Sequence, residues 1–351
     1  MSFRVLVDFR GPWGLGDLVC AEPMLRGLRE FHGPRAEIRI RGHAGNCAYS
    51  PAIDGQAPPD FRPDRVVPVR LFTELGQRAY AALEALPSLV DHLCAYAAHF
   101  PQNRTPMLHL GPSERELAQR LGVKELRHPI VALCADGSDP FRALPLGHFQ
   151  ALGKEVLARG GSLIELGARE RLGLGHDLVG KLPIRAAAAV LEHCDLFIGN
   201  NSGLLHYAQG ADCPVLGFFS LALPERFIHE GRLVVAVQHP GLSCLDCMTR
   251  DFEGRNARGC TAQPEAACMR TFPLQTAQDA LARVFDEYLS QRPWLGRDLA
   301  FGRSVLESQV RRLRAQGFHE RADRMIAAWS KIQTPRSSRE PCFSNGKTGS
   351  F

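Results

Sequence analysis

With 351 residues the chain exceeds the length over which a single core keeps growing, so two domains are expected. A content of 45% hydrophobic and 23% charged residues, with 33 glycines and 24 prolines, excludes both a fibrous and a wholly disordered chain. The net charge of +5 rests on scattered arginines. It suits an anionic ligand or weak attraction to acidic lipid, and no nucleic-acid partner is expected.

The N-terminus, MSFRVLVDFRG, lacks a charged segment followed by an apolar one, and no run approaches the 18 apolar residues that span a bilayer. A cytoplasmic protein is expected, its eleven cysteines serving as thiols or metal ligands rather than disulfides. Residues 3 to 9 read as a buried strand, and DLVCAEPMLRGLREF then carries apolar residues at helical spacing. Pro23 lies inside that pattern, which predicts a kink or a first turn ending before it. AEIRIRG and DRVVPVR supply two more strands, with helical stretches at 74–86 and 88–99. A polar helical segment, SERELAQRLGVKELR, leads out of this first α/β unit, whose boundary falls near residue 125.

A second series opens at HPIVALCAD: a strand at 129–135, a helix at 146–159, the strand SLIELG, the helix PIRAAAAVLEHC and the strand DLFIGN. The helix SGLLHYAQGAD and the strands PVLGFF and RLVVAVQ follow. Two such sheets place a ligand cleft outside the carboxyl ends of their strands. Residues 273–290 and a stretch within a helical extension, 292–332, read as helices. The extension shows apolar spacing at Val305, Leu306, Val310, Leu313, Met325, Ile326 and Trp329, and 333–351 is expected to be a disordered tail. An arginine-rich amphipathic pair of this kind is a packed appendage or a peripheral contact with a membrane leaflet.

Three places carry candidate chemistry. In GLGD, residues 14–17, Gly14 and Gly16 allow close backbone approach after a strand, and a helix starting at or just after Asp17 would offer its amides to an anion. Asp17 alone reads first as an N-cap, and the absence of a third spaced glycine disfavours a dinucleotide fingerprint. In GNNSGLLH, residues 199–206, Ser202 and Gly203 open a helix after a strand and suit a diphosphate, while His206 either faces the same place or packs in the core. Third, Cys244, Cys247, Cys260 and Cys268 are spaced C-x2-C-x12-C-x7-C. That pattern suits a closed, structural four-thiolate site for zinc or iron, the alternatives being free thiols or disulfides.

The first two motifs in this order resemble those of glycosyltransferase family 9, the heptosyltransferase-like enzymes. The intervening GSDPFRALPLGHFQALGKEVLARGGSLIELGARE also resembles that family's segment of a basic residue, a tryptophan-proline pair, a helix and a strand ending in G-x-x-E. The likeness spans residues 3 to about 290 and implies the GT-B fold: an α/β protein of two Rossmann-like domains, acceptor-binding (1–125) and nucleotide-sugar-binding (126–291), with an interdomain cleft and C-terminal helices. It implies an inverting glycosyltransferase using a nucleotide sugar, most plausibly ADP-heptose, on a lipopolysaccharide core, another glycan, a lipid-linked glycan or a protein. Asp17 takes the place of the family's general base, and Arg142, Glu170, Asn201, Ser202, Gly203 and His206 fall at donor-binding positions; Glu170 also reads as a solvated surface residue. Gly14 and Gly16 would underlie the acceptor, and catalysis would need no metal. Family relatives that modify autotransporter proteins carry a four-cysteine iron finger, which the cysteine cluster resembles. Departures are Asn201 for an aspartate, Arg142 for a lysine and Leu144 for the tryptophan. Other readings of the same fold are a nucleotide-sugar-binding or assembly protein without turnover, and a sugar-nucleotide 2-epimerase.

Overall fold

A computed structural model of the chain describes residues 2–9, 13–69, 88–137, 140–221, 224–242, 244, 245, 260 and 264–289, with single helical positions between 310 and 326. The first sheet is parallel, in the order β2-β1-β3, from β1 (Arg4–Phe9), β2 (Glu37–Gly42) and β3 (Arg65–Pro68). β1 is central, and all but its first residue are buried, as its unbroken apolar run requires of a strand covered on both faces. The break expected at Pro23 is present: α1 (Leu15–Cys20) stops, Ala21 intervenes, and α2 (Glu22–His32) restarts with proline in its first turn, where no amide is needed. After α3 (Leu89–Cys94), the expected helix at 88–99 continues only as a 3-10 turn, while the one at 74–86 lies outside the described residues.

The second sheet has six parallel strands in the order β6-β5-β4-β7-β8-β9: β4 (Ile130–Cys134), β5 (Ser162–Glu165), β6 (His176–Asp177), β7 (Leu196–Asn200), β8 (Val215–Phe218) and β9 (Val234–Val237). Renumbered within the domain this is 3-2-1-4-5-6, the Rossmann order, so the chain changes direction across the sheet between β4 and β7. Only the two-residue edge strand β6 was not legible as a strand. α5 (Leu146–Ala158) and α9 (Leu274–Val284) cover one face; α6 (Ile184–Leu191) and α7 (Gly203–Gly210) cover the other. α8 (Ala267–Arg270) packs with the first pair through Cys268 and Met269. α4 (Pro112–Arg120), read from sequence as the exit from the first domain, buries Ala118 in the second sheet's core.

α1 lies between the domains. Leu18 belongs to the first core and its neighbour Val19 to the second. The connecting segment is tied to both sides: Arg26 donates to the Asn103 and Thr105 carbonyls, Thr105 donates to the Glu230 carbonyl, and Arg185 donates to the His109 carbonyl. Buried Glu22 accepts from the Met107 amide; its contacts with His109 and Arg26 keep its carboxyl below the usual range despite burial. In the C-terminal extension Val310 and Ala322 are buried, whereas Ile326, expected on the apolar stripe, is 40% exposed. The tail lies outside the described residues.

Candidate active site

The helix at GLGD begins earlier than the sequence suggests. Leu15 is its first residue and Gly14 its N-cap, so Asp17 sits in the first turn rather than at the cap. Its carboxylate reaches back to accept the Gly14 amide at 3.0 Å, which orients it at the start of α1. Two influences oppose each other there. Burial raises the Asp17 pKa above the usual carboxylate value, while the Gly14 amide and the Arg142 guanidinium draw it down. Arg142 arrives from the segment after β4, so a carboxylate of the first domain and a cation of the second share one electrostatic environment.

The carboxyl ends of β4 and β7 flank the point where strand order reverses. Buried Asn200 closes the floor of that crevice: its Oδ1 accepts the Leu144 amide at 3.1 Å, and its Nδ2 donates to the Ala135 and Asp136 carbonyls. Leu144 is buried, as expected of a packing residue. Ser220 donates to the Phe141 carbonyl, fixing the backbone beside Arg142. Asn201 follows, buried, its amide bonded to the Phe218 carbonyl. Ser202 is the N-cap of α7, yet its side chain makes no capping bond. Gly203 then meets α1: a Cβ on it would lie 3.3 Å from the Leu15 Cβ. The fit is tighter at Gly16, where a Cβ would come within 2.4 Å of the His206 Cδ2. Glycine at both positions is what lets α1 cross the N-terminus of α7 at close range.

His206 is buried, and its Nδ1 lies 3.3 Å from the Cys20 Sγ and 3.1 Å from the His229 Nε2. Cys20 Sγ is also 3.5 Å from the His229 Nε2. Burial, with Arg142 adding to it, lowers the His206 pKa to about 4, so the ring is neutral. Glu170 stands elsewhere, exposed at the tip of the loop after β5. That loop hangs on two carboxylates. Asp136 accepts the amides of Ala168, Arg169 and Glu170, and buried Glu165 accepts those of residues 172, 173, 174 and 175.

Residues 81–253 match the family model for glycosyltransferase family 9 (heptosyltransferase). A glycosyltransferase family 9 domain is thereby recognised over that stretch. The matched span includes Arg142, Glu170 and the stretch from Asn201 to His206, and begins after Asp17. Among solved structures, the E. coli ADP-heptose lipopolysaccharide heptosyltransferase II aligns at 15% identity and TM-score 0.53, covering 81% of this chain and 99% of that one. The iron-containing dodecameric glycosyltransferase TibC from enterotoxigenic E. coli aligns at 16% identity and TM-score 0.62, with 82% and 78% coverage. A second TibC structure, in complex with ADP-D-beta-D-heptose, aligns at 15% identity and TM-score 0.61, with 82% of this chain and 78% of that one covered. At such identities the likeness establishes the fold, which is GT-B. A comparison with curated protein sequences returns no match.

This glycosyltransferase thus brings Asp17, Gly14, Gly16, Arg142, Ser202, Gly203 and His206 to one interdomain seam, with Asn201 beside it and Glu170 on a separate loop. The motifs left Asn200, Asp136 and Glu165 unmarked. Their partners are largely backbone groups, which leave no side-chain pattern to read; the one available signal was a polar residue at the carboxyl end of a buried strand. In the cysteine cluster, Cys247 lies outside the described residues, Cys244 and Cys260 are half-buried, Cys268 is buried, and these three form no disulfide. Leu242 and Leu245, flanking Cys244, pack on the core that holds Cys268, but Cys244, Cys260 and Cys268 do not bring their sulfurs together within 4.8 Å. The donor set, four cysteines within one stretch of chain, fits a tetrahedral thiolate site by its chemistry. Among the described residues, no helix is long and apolar enough to cross a membrane.

Proposed function

We propose that this glycosyltransferase moves a heptose from ADP-heptose to an acceptor hydroxyl with inversion, Asp17 acting as general base. The observation that carries the reading is the meeting of Asp17 with Arg142 and the N-terminus of α7 across the domain seam. The ADP-heptose named for the aligned heptosyltransferase II and TibC supports the choice of donor.

In this reading the donor diphosphate lies outside the carboxyl ends of β4 and β7. Arg142 and the amides at Ser202 and Gly203 take up the charge that grows as the glycosidic bond breaks. Asn201, a neutral amide able to donate and accept, faces the sugar hydroxyls, and Glu170 accepts from the ribose. His206 turns Nδ1 toward Cys20 and His229, which leaves the Nε2 edge beside Gly16 for any donor contact. The acceptor lies over Gly14 and Gly16. Asp17 takes the proton of its hydroxyl as the oxygen attacks the anomeric carbon from the face opposite the leaving diphosphate. The acceptor is a lipopolysaccharide core, another glycoconjugate or a protein, and the enzyme works in the cytoplasm or against the inner leaflet.

Transfer and hydrolysis from a panel of nucleotide sugars test this. Turnover is expected with ADP-heptose; binding without turnover by the wild-type protein would instead identify a nucleotide-sugar-binding protein.

Cys244, Cys247, Cys260 and Cys268 hold a structural zinc or iron ion, the iron of TibC and the thiolate donor set both supporting this. Its chemistry is confined to pinning the loop after β9, since four protein ligands leave no open position. Replacing Cys244 and Cys247 together with serine should remove that metal and lower the melting temperature; unchanged metal content refutes the assignment.

A further inference from the structure

We propose that Cys20, His206 and His229 bind a divalent metal ion of the zinc class, and that this ion bolts the two domains together. The site is distinct from the cysteine cluster. Cys20 ends α1 in the first domain, while His206 on α7 and His229, beyond the 3-10 turn at Pro224–Arg226, belong to the second. All three are buried.

The argument is geometric. Sγ of Cys20, Nδ1 of His206 and Nε2 of His229 form a nearly equilateral triangle with sides of 3.3, 3.1 and 3.5 Å. Hydrogen bonds cannot account for all three sides. A neutral imidazole nitrogen either carries a proton or accepts one along a single lone pair, so a Cys-His-His triangle satisfies at most two of its edges. Corners near 60° also lie far from the geometry in which one atom serves two neighbours well. An ion at the centre engages all three atoms at once. Zn–S of about 2.3 Å and Zn–N of about 2.0–2.1 Å at tetrahedral angles place S···N at about 3.5 Å and N···N at about 3.3 Å. The observed sides match these edges within about 0.3 Å. The other nitrogen of His229, Nδ1, is buried with no protein partner among the described residues, so Nε2 is its engaged atom.

On binding, the metal–sulfur bond replaces the Cys20 S–H, whose proton leaves to solvent, and each imidazole donates a lone pair. Three protein ligands leave one tetrahedral position for water or a ligand oxygen. Because the ligands come from both domains, metal occupancy holds α1 against α7.

Zinc K-edge absorption of the zinc-loaded full chain tests the proposal without a variant. Imidazole outer-shell scattering is expected, and a purely sulfur environment overturns it. Metal content gives a second readout: Cys20→Ser and His229→Gln should each bind one molar equivalent less than wild type, and Cys20→His should restore it. Folded variants that keep the wild-type stoichiometry overturn the site. If the variants do not fold, the absorption measurement decides alone.

Discussion

Asp17 lies in two opposing environments, and their balance fixes the pH range in which it can act. Burial, the larger influence, raises its pKa above the usual 3.8, against the Gly14 amide and Arg142. A general base must be ionised, so activity is present above the raised value and lost as pH falls through it. The acidic limb of kcat/KM should therefore lie above 3.8, and Arg142→Ala should move it further up by removing a stabilising charge. A limb at or below the ordinary value would contradict the assignment. Glu165 shows the reverse balance at the same scale: burial disfavours its charge, but four amides outweigh burial and hold its pKa low. Its contribution to stability is thus present above the unfolded-state value and lost as pH falls through the folded one.

At the scale of elements, the crossing of α1 over α7 depends on two glycines, and the closer contact is the more sensitive. Gly16→Ala forces a methyl to within 2.4 Å of the buried His206 ring, whereas Gly203→Ala meets the Leu15 Cβ at 3.3 Å. Denaturant unfolding should show a loss of about 1–3 kcal/mol for Gly16→Ala, with the Gly203 variant milder; equal stability of wild type and Gly16→Ala would refute the packing account. Most elements of both sheets were legible, because buried parallel strands and amphipathic helices imprint their periodicities on the chain. The helix start at Leu15 was not, since Asp17 serves a cap and a first turn with the same chemistry. Nor was the Cys20-His206-His229 triangle: its members lie 186 and 209 residues from Cys20, and each reads alone as a core residue. The two motifs holding Cys20 and His206 were found, but their proximity is a property of the fold.

At the scale of the molecule, one seam between two Rossmann-like sheets carries a buried carboxylate, a cation and a helix N-terminus, so a donor bound there should stabilise the whole. ADP-heptose at a hundred times its Kd should add about 2.7 kcal/mol to unfolding, read as a raised melting temperature, and a uridine diphosphate sugar should add little. Equal protection by both would remove the support for the heptose donor. The most direct test compares transfer from ADP-heptose by wild type and Asp17→Asn while donor binding is measured in parallel. The account predicts retained donor binding with turnover reduced roughly 10²–10⁴-fold in the variant. Turnover by Asp17→Asn as fast as by the wild type would contradict it.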